Sequence, residues 1–190
     1  HSYDHHYIAR FKPDLFIILD GAQHASHGLV DVEEYGADAY VFVPYKTFAK
    51  PGISFAHLSD RLAALPHDNL LGKPKTAWDL GTREVASYAC MSRVVEYLQW
   101  LAKADGQKVA GARDGVVKGM RVVERLEMEL MRAFLHGCGR VPGMLDMEGV
   151  TVNGQTDRLS EREAIFSFNV RSHKTAEVMA YFKQNGITLN

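Results

Sequence analysis

The apolar positions of this chain change their period along its length. From Leu15 to Leu19 five apolar residues run together without alternation, the pattern of a strand buried on both faces of an α/β sheet. Pro13 and Asp14 punctuate its entry, and Asp20-Gly21-Ala22-Gln23 follows its end. A polar, histidine-bearing turn spans His24 to Gly28, and a short helical turn at Val32–Tyr35 is closed by Gly36 at a C′ position. A second apolar strand, Tyr40 to Val43, leads into Pro44-Tyr45-Lys46, and a third apolar run covers Ile53 to His57. The link 44–52 is too short for a parallel crossover, which takes about a dozen residues or more. If the second and third strands are neighbours they are therefore antiparallel, and the sheet is mixed. Two buried strands deliver an acid, Asp20, and an amine, Lys46, to loops at their ends, where α/β sheets place ligands.

Downstream the period becomes helical. Ser59 is placed to cap a short helix through Leu65 that Pro66 stops. The polar stretch from His67 to Trp78 reads as a loop leaving the sheet. Thr82 is the expected N-cap of a long helix to about Lys103, with Glu84 in its first turn and Ala86, Cys90, Val94, Leu98 and Leu101 on the buried stripe. A second helix is expected over about Val116 to His136, with Met120, Val123, Leu126, Leu130 and Phe134 inward and Gly137 at its end. Gly149–Val152 and Ala164–Val170 read as strands, Thr175–Asn185 as a helix closed by Gly186, and Ile187–Leu189 as the start of a last strand. The predicted class is α/β: residues 1–77 contribute part of a mixed, mostly parallel sheet with helices. Residues 78–190, including the long linking helix, form a small C-terminal α+β domain.

Composition narrows the function classes. A chain of 190 residues, 46% hydrophobic and 24% charged, can bury a core of ordinary globular type. Its net charge of −1 provides no basic face for nucleic acid or an anionic membrane. No apolar run is long enough to cross a bilayer, and the N-terminus lacks a signal-peptide core. Cys90 and Cys138 lie far apart without metal-ligand spacing, so a reduced, cytoplasmic setting is expected. His1, His5 and His6 are the one cluster that invites a metal. A flexible or tag-like terminus is favoured, because no carboxylate-supported histidine pair sits on a clear helix there; no metal site is expected.

Taken singly, the polar residues around the first strands carry little. An Asp-Gly at a strand end is usually a turn, a lysine after a strand is usually solvated, and Tyr45 fits a packed aromatic. The set and its order carry more. A lysine that can form an imine and a carboxylate that can hold a pyridine nitrogen protonated are what pyridoxal phosphate requires.

In these residues the chain resembles the class V aminotransferases, in particular the cysteine-desulfurase-like branch. The resemblance is carried by Asp20-Gly21-Ala22-Gln23 with His27, Val30-Asp31-Val32, Gly36-Ala37-Asp38, Tyr45-Lys46 and Gly52-Ile53. It continues through Trp78-Asp79-Leu80-Gly81-Thr82-Arg83-Glu84, Phe166-Ser167-Phe168-Asn169-Val170 and Asn185-Gly186-Ile187. It implies the pyridoxal-phosphate transferase fold (fold type I), pyridoxal 5′-phosphate as cofactor, and an amino-acid substrate. Lys46 would join the cofactor and shuttle protons at the substrate α-carbon, Asp20 would pair with the pyridinium nitrogen, and Gln23 would hydrogen-bond the phenolic oxygen. Tyr45 would lie near the phosphate. Gly81 and Thr82 would reach the phosphate of a partner subunit's cofactor, which implies a homodimer.

The chain also departs from the family. Val43 stands where many relatives place a phosphate-binding serine, and Lys50 sits in a loop that usually carries Gly-Pro before its last glycine. Nothing before His1 or after Asn190 supplies the phosphate loop, the desulfurase cysteine or the substrate-binding arginine, so the sequence reads as cut at both ends. Cys90 and Cys138 are read as structural. Desulfuration leads over transamination and epimerisation, and the alternative is a non-catalytic remnant or interaction module with the same fold.

Overall fold

The computed structural model describes residues 14–79, 81 and 84–189. Three short strands form a mixed sheet in the order β1 (Ile18–Asp20), β2 (Ala39–Phe42), β3 (Phe55–Leu58). Strand β1 runs parallel to β2, with Asp20 opposite Val41, and β2 runs antiparallel to β3, with Phe42 opposite Phe55. The antiparallel step follows from the short link, as the sequence requires. The parallel step is reached through two one-turn helices, α1 (His24–His27) and α2 (Val32–Tyr35). Asp31 caps α2 by accepting from Glu34 N, and Gly36 ends it in the left-handed region at φ 59°, where a Cβ would be strained.

One buried carboxylate pins this sheet. Asp38, at the entry to β2, accepts hydrogen bonds from Ile17 N (3.0 Å), Ser59 Oγ (2.9 Å) and both Nε and Nη2 of Arg61 (2.5 and 2.6 Å). Arg61 also donates to Leu15 O at 2.6 Å and lies over the Phe16 ring, 4.5 Å from its centroid. The guanidinium beside Asp38 holds its carboxyl well below the usual carboxylate range. Arg61 itself lies on α3 (Asp60–Ala63), whose N-cap Ser59 accepts from Leu62 N as expected. The helix stops at Ala63 rather than Leu65.

Strand β1 corrects the expectation of burial on both faces. Leu15 and Ile18 remain 49% and 62% exposed. Among the described residues β1 pairs with β2 alone.

Two long helices follow, α4 (Val85–Ala104) and α5 (Ala112–His136). Helix α4 starts later than expected, because Glu84 rather than Thr82 is the cap: its carboxylate accepts from Ser87 N at 2.7 Å. Thr82 lies outside the described residues. The buried stripe of α4 is Ser87, Val94, Leu98 and Ala102, so Val94 and Leu98 stand as predicted while Ala86 and Leu101 give way to Ser87 and Ala102.

On α5 Met120 and Val123 stand as predicted, whereas Leu126, Leu130 and Phe134 are 45%, 68% and 41% exposed. Beyond Met120 a helical face runs through Glu124, Met128, Met131 and Leu135, in steps of four, four, three and four. Picking apolar residues alone skips Glu124 and drifts off that face. Glu124 belongs on it because its carboxylate accepts from Leu29 N at 3.0 Å.

The chain divides into two compact units, 1–124 and 125–190, within α5. The first has a core of Val94, Leu98 and Met120, with Leu29, Ala49, Met91, Val116 and Val123 packed on it. In the second, β4 (Val150–Asn153) pairs antiparallel with β5 (Ser167–Val170), and α6 (Thr175–Gln184) follows. Its core is Met131, Leu135 and Leu159, flanked by Val152 and Phe166. Ile187–Leu189 forms no strand; Ile187 N instead donates to Phe182 O at 2.9 Å, extending the end of α6 past Gly186 (φ 77°).

Candidate active site

The parallel β1–β2 pair brings four of the expected site residues to one end of the sheet. Both strands finish at that end, Asp20 as the last residue of β1 and Gln23 at the N-cap of α1. After β2, Val43 leads into a 3₁₀ turn, Pro44–Lys46, which carries Tyr45 and Lys46. Pro44 is buried at the start of that turn, where its fixed φ suits a helical first position.

The side chains differ in how far their neighbours engage them. Asp20 is exposed, and its Oδ1 accepts from Ala22 N at 2.9 Å in the Asx turn that an Asp-Gly favours. Its second oxygen carries no hydrogen bond among the described residues. The Gln23 side chain is exposed and makes no cap hydrogen bond. Lys46 is half-buried, with Nζ 6.0 Å from the centroid of the exposed Tyr45 ring. Next to it, Thr47 is buried, and among the described residues its Oγ1 has no hydrogen-bond partner. An orphaned hydroxyl of this kind costs about 1–3 kcal/mol unless something meets it.

The loop after Lys46 is held against the start of α4. The Ser87 hydroxyl, fully buried, bonds Glu84 Oε2 and donates to Pro51 O at 3.3 Å. Lys50 Nζ lies 3.7 Å from the same Glu84 oxygen. The Ser87 hydroxyl and amide hold the Glu84 carboxyl below the usual glutamate range, with Lys50 adding to the effect. Gly52 has φ 127°, and a Cβ there would stand 3.0 Å from Ser87 Oγ. Phe48 takes φ 62°, strained for a bulky residue, and sets its ring edge-on to Tyr97 at 5.5 Å.

Gly81 lies in the exposed loop before α4, and a Cβ built on it would meet nothing within 4 Å. Its neighbour Thr82 is outside the described residues, as are His1, His5 and His6. Among the described residues no cluster of His, Cys, Asp and Glu could hold a metal, and no helix is long and apolar enough to cross a membrane.

Sequence reasoning missed two groups, one at the opposite end of β2 from Lys46 and one at the site. One is the Asp38–Arg61 pair; its components are 23 residues apart and give no periodic signal. The other is the aromatic group beneath the Asp20–Gln23 turn. His24 Nδ1 and Tyr40 Oη lie 3.0 Å apart, Tyr35 and Tyr40 pack with centroids 5.6 Å apart, and Tyr35 Oη donates to Leu29 O at 2.9 Å. The only trace in sequence was Gly21, which leaves room for the Tyr40 ring.

Comparison with known proteins shows the family and the fold. The family model described as Aminotransferase class-V matches residues 6–190. A protein of Mycolicibacterium paratuberculosis described as "Probable cysteine desulfurase" is 26% identical over 188 residues, 97% of this chain and 24% of that protein. A cysteine desulfurase of Yersinia pestis (strain Pestoides F) is 25% identical over 184 residues, 92% of this chain and 40% of its own length. The chain thus spans between a quarter and two-fifths of the length of these relatives. Among solved structures, the apo cysteine desulfurase of Thermococcus onnurineus NA1 superposes with TM-score 0.59 at 20% identity, over 96% of this chain and 43% of that one. The cysteine desulfurase CsdA of Escherichia coli, in its S-sulfonic acid form, gives TM-score 0.55 at 16% identity over 97% and 43%.

Proposed function

The chain belongs to the class V aminotransferase family, and from that membership we propose that it carries the lysine–acid–amide portion of a pyridoxal 5′-phosphate site acting on an amino acid. The observation that carries the reading is the parallel β1–β2 pair, which ends Asp20-Gly21-Ala22-Gln23 and Tyr45-Lys46 at the same end of the sheet. The residues present fit such a group. Among the described residues Asp20 keeps one carboxylate oxygen without a hydrogen bond and the buried Thr47 hydroxyl beside Lys46 has no partner, and Gln23 presents an exposed amide.

When bound, pyridoxal phosphate supplies an electron-withdrawing ring that stabilises negative charge at the α-carbon of an attached amino acid. Lys46 is the residue that would hold the cofactor aldehyde, and its amine would then carry a proton to and from that α-carbon. Asp20, ionised, would keep the ring nitrogen protonated across a charge-assisted hydrogen bond. The Gln23 amide would donate to the phenolic oxygen. Tyr45, Gly81 and Thr82 would surround phosphate, the last two from the neighbouring subunit of a homodimer. Val43 brings no hydroxyl to that phosphate.

In this reading residues 1–77 end a large cofactor domain of fold type I and residues 78–190 form the small C-terminal domain. Removal of sulfur from cysteine leads over transamination and epimerisation, because the relatives in hand are cysteine desulfurases. A cytoplasmic location accompanies that activity. The competing reading, a non-catalytic module with the same fold, draws on the Asp20 turn bond and on Lys50, which pairs with Glu84 in the loop that follows Lys46.

The test is direct. Pyridoxal phosphate is added to the purified chain, any adduct is fixed with borohydride, and the modified residue is mapped by mass spectrometry. A visible band and a single mass increment on Lys46, both lost in Lys46→Ala, are expected. An increment distributed over surface lysines, or a band that survives Lys46→Ala, refutes the assignment, and no uptake at all favours the non-catalytic module.

A further inference from the structure

We propose that Tyr40 and His24 form a positioning pair that fixes the pose of the Asp20–Gln23 turn; the inference rests on the reading of that turn as a cofactor contact. Tyr40 is 4% exposed, and its backbone lies opposite Leu19 in the parallel register, one place before the Asp20–Val41 pairing. Its ring comes up against the turn itself. A Cβ built on Gly21 would stand 2.1 Å from Tyr40 Cζ and 2.2 Å from its hydroxyl oxygen. The ring therefore fills the space that a side chain at 21 would need. The glycine is fixed by this contact, not by a positive φ.

The hydroxyl then reaches the other end of the turn. It lies 3.0 Å from Nδ1 of His24, the first residue of α1 and the residue after Gln23. A buried tyrosine hydroxyl is rarely left without a partner, and His24 supplies it. The His24 ring has its own clearance, because a Cβ on Gly28 would fall 2.7 Å from Nε2. Tyr35 backs both, edge-on to His24 at 5.9 Å and tilted against Tyr40 at 5.6 Å.

Beside its backbone bonds, Gly21 N to Val41 O (2.7 Å) and Ala25 N to Gly21 O (2.9 Å), the turn meets the ring at Gly21 and the hydroxyl at His24, and Asp20 and Gln23 lie between or next to these two contacts. Groups that meet a bound ligand must be held to about 0.5 Å to be effective. The acid and the amide sit on exposed side chains in a four-residue turn, so the buried Tyr40 ring and the half-buried His24 help to set the pose of the backbone that carries them.

The experiment uses the full chain with Tyr40→Phe, which removes one oxygen and keeps the ring, and His24→Gln, which keeps a hydrogen-bonding group at 24. Amide hydrogen exchange is followed at Ala22 and Ala25, whose N–H groups donate to Asp20 Oδ1 and Gly21 O. Pyridoxal phosphate affinity is measured by visible absorption. Tyr40→Phe is expected to raise exchange at these two amides several-fold, to leave protection in α4 unchanged, and to weaken pyridoxal phosphate binding about five- to tenfold, the loss of one hydrogen bond. His24→Gln is expected to retain most of the protection. Unchanged exchange at Ala22 and Ala25 overturns the proposal whether or not the cofactor binds. Raised exchange across the whole sheet, or raised local exchange with unaltered cofactor affinity, also overturns it. A wild-type chain that takes up no pyridoxal phosphate overturns the proposed function instead, and the exchange data then decide the pair.

Discussion

Gly119→Ala sets two known effects against each other. In an exposed helix interior, replacing glycine by alanine stabilises by about 1 kcal/mol. Gly119 lies within α5, yet a Cβ there would stand 2.3 Å from Leu98 O, 2.8 Å from its carbonyl carbon and 2.9 Å from its Cα. Carbon contacts settle near 3.5–4.0 Å, so α4 and α5 would have to part locally by about 1 Å. Leu98 is 4% exposed and packs with Val94 and Met120, so the separation opens the core of the first unit. Overpacking against an unyielding neighbour costs about 1–3 kcal/mol. With backbone as the obstacle the upper end applies, and the net expectation is a loss of about 2 kcal/mol after the propensity gain.

Gly115→Ala is the internal control. Its Cβ would meet Gln99 Cγ at an almost equal 2.4 Å and Val109 Cγ1 at 2.9 Å. Those are side-chain atoms, and shifting a rotamer costs about 0.5–1.5 kcal/mol, which the propensity gain nearly cancels. Urea denaturation followed by far-ultraviolet circular dichroism would compare the midpoints. Gly119→Ala should fall well below wild type and Gly115→Ala should stay close to it. Equal shifts, or a Gly119→Ala variant more stable than wild type, would show that the helices are not in backbone contact at Leu98.

Other predictions follow from the ion pairs and caps. Asp38→Asn should destabilise the chain by about 2 kcal/mol, since four donors face one buried carboxylate and Arg61 is half-exposed. Because the folded Asp38 carboxyl sits below its unfolded value, its contribution is complete above about pH 4 and is lost as the pH falls further. An acid-unfolding curve should therefore be shallower for Asp38→Asn, and an identical curve would refute the pairing. Glu84→Gln should leave the α4 cap insensitive to acid, whereas wild type should lose α4 protection as the pH drops below the ordinary glutamate range; hydrogen exchange at Ser87 and Tyr88 reads both. Gly21→Ala should displace Tyr40 and expose its ring, so tyrosine fluorescence quenching by acrylamide should increase; unchanged quenching would remove the close contact on which the ring's placement depends.

The sequence by itself determined the order of the main elements as far as α6, the residue types at the end of the β1–β2 pair, and the family. The unbroken apolar run into Asp20, the short link between Lys46 and the third strand, and Gly36 beside Asp31 are local signals, and local geometry answers them. What required the tertiary structure was every assignment that depends on which neighbour arrives. The apolar strand at Leu15–Leu19 looks the same whether flanked on one side or two, yet with β2 as its one partner among the described residues it leaves Ile18 in the open. The stripe on α5 depends on Glu124, a polar residue that joins the face because a backbone amide 95 residues away needs an acceptor. The Thr82 and Glu84 positions are both chemically able to cap, and the residues packed beside Ser87 decide between them at Glu84. Tyr40 shows the same division at the site. Its place in the apolar run Tyr40–Val43 predicts burial, but only the folded chain puts its ring on Gly21 and its hydroxyl on His24, because hydrophobic pattern encodes burial and not the polar partner a side chain finds there.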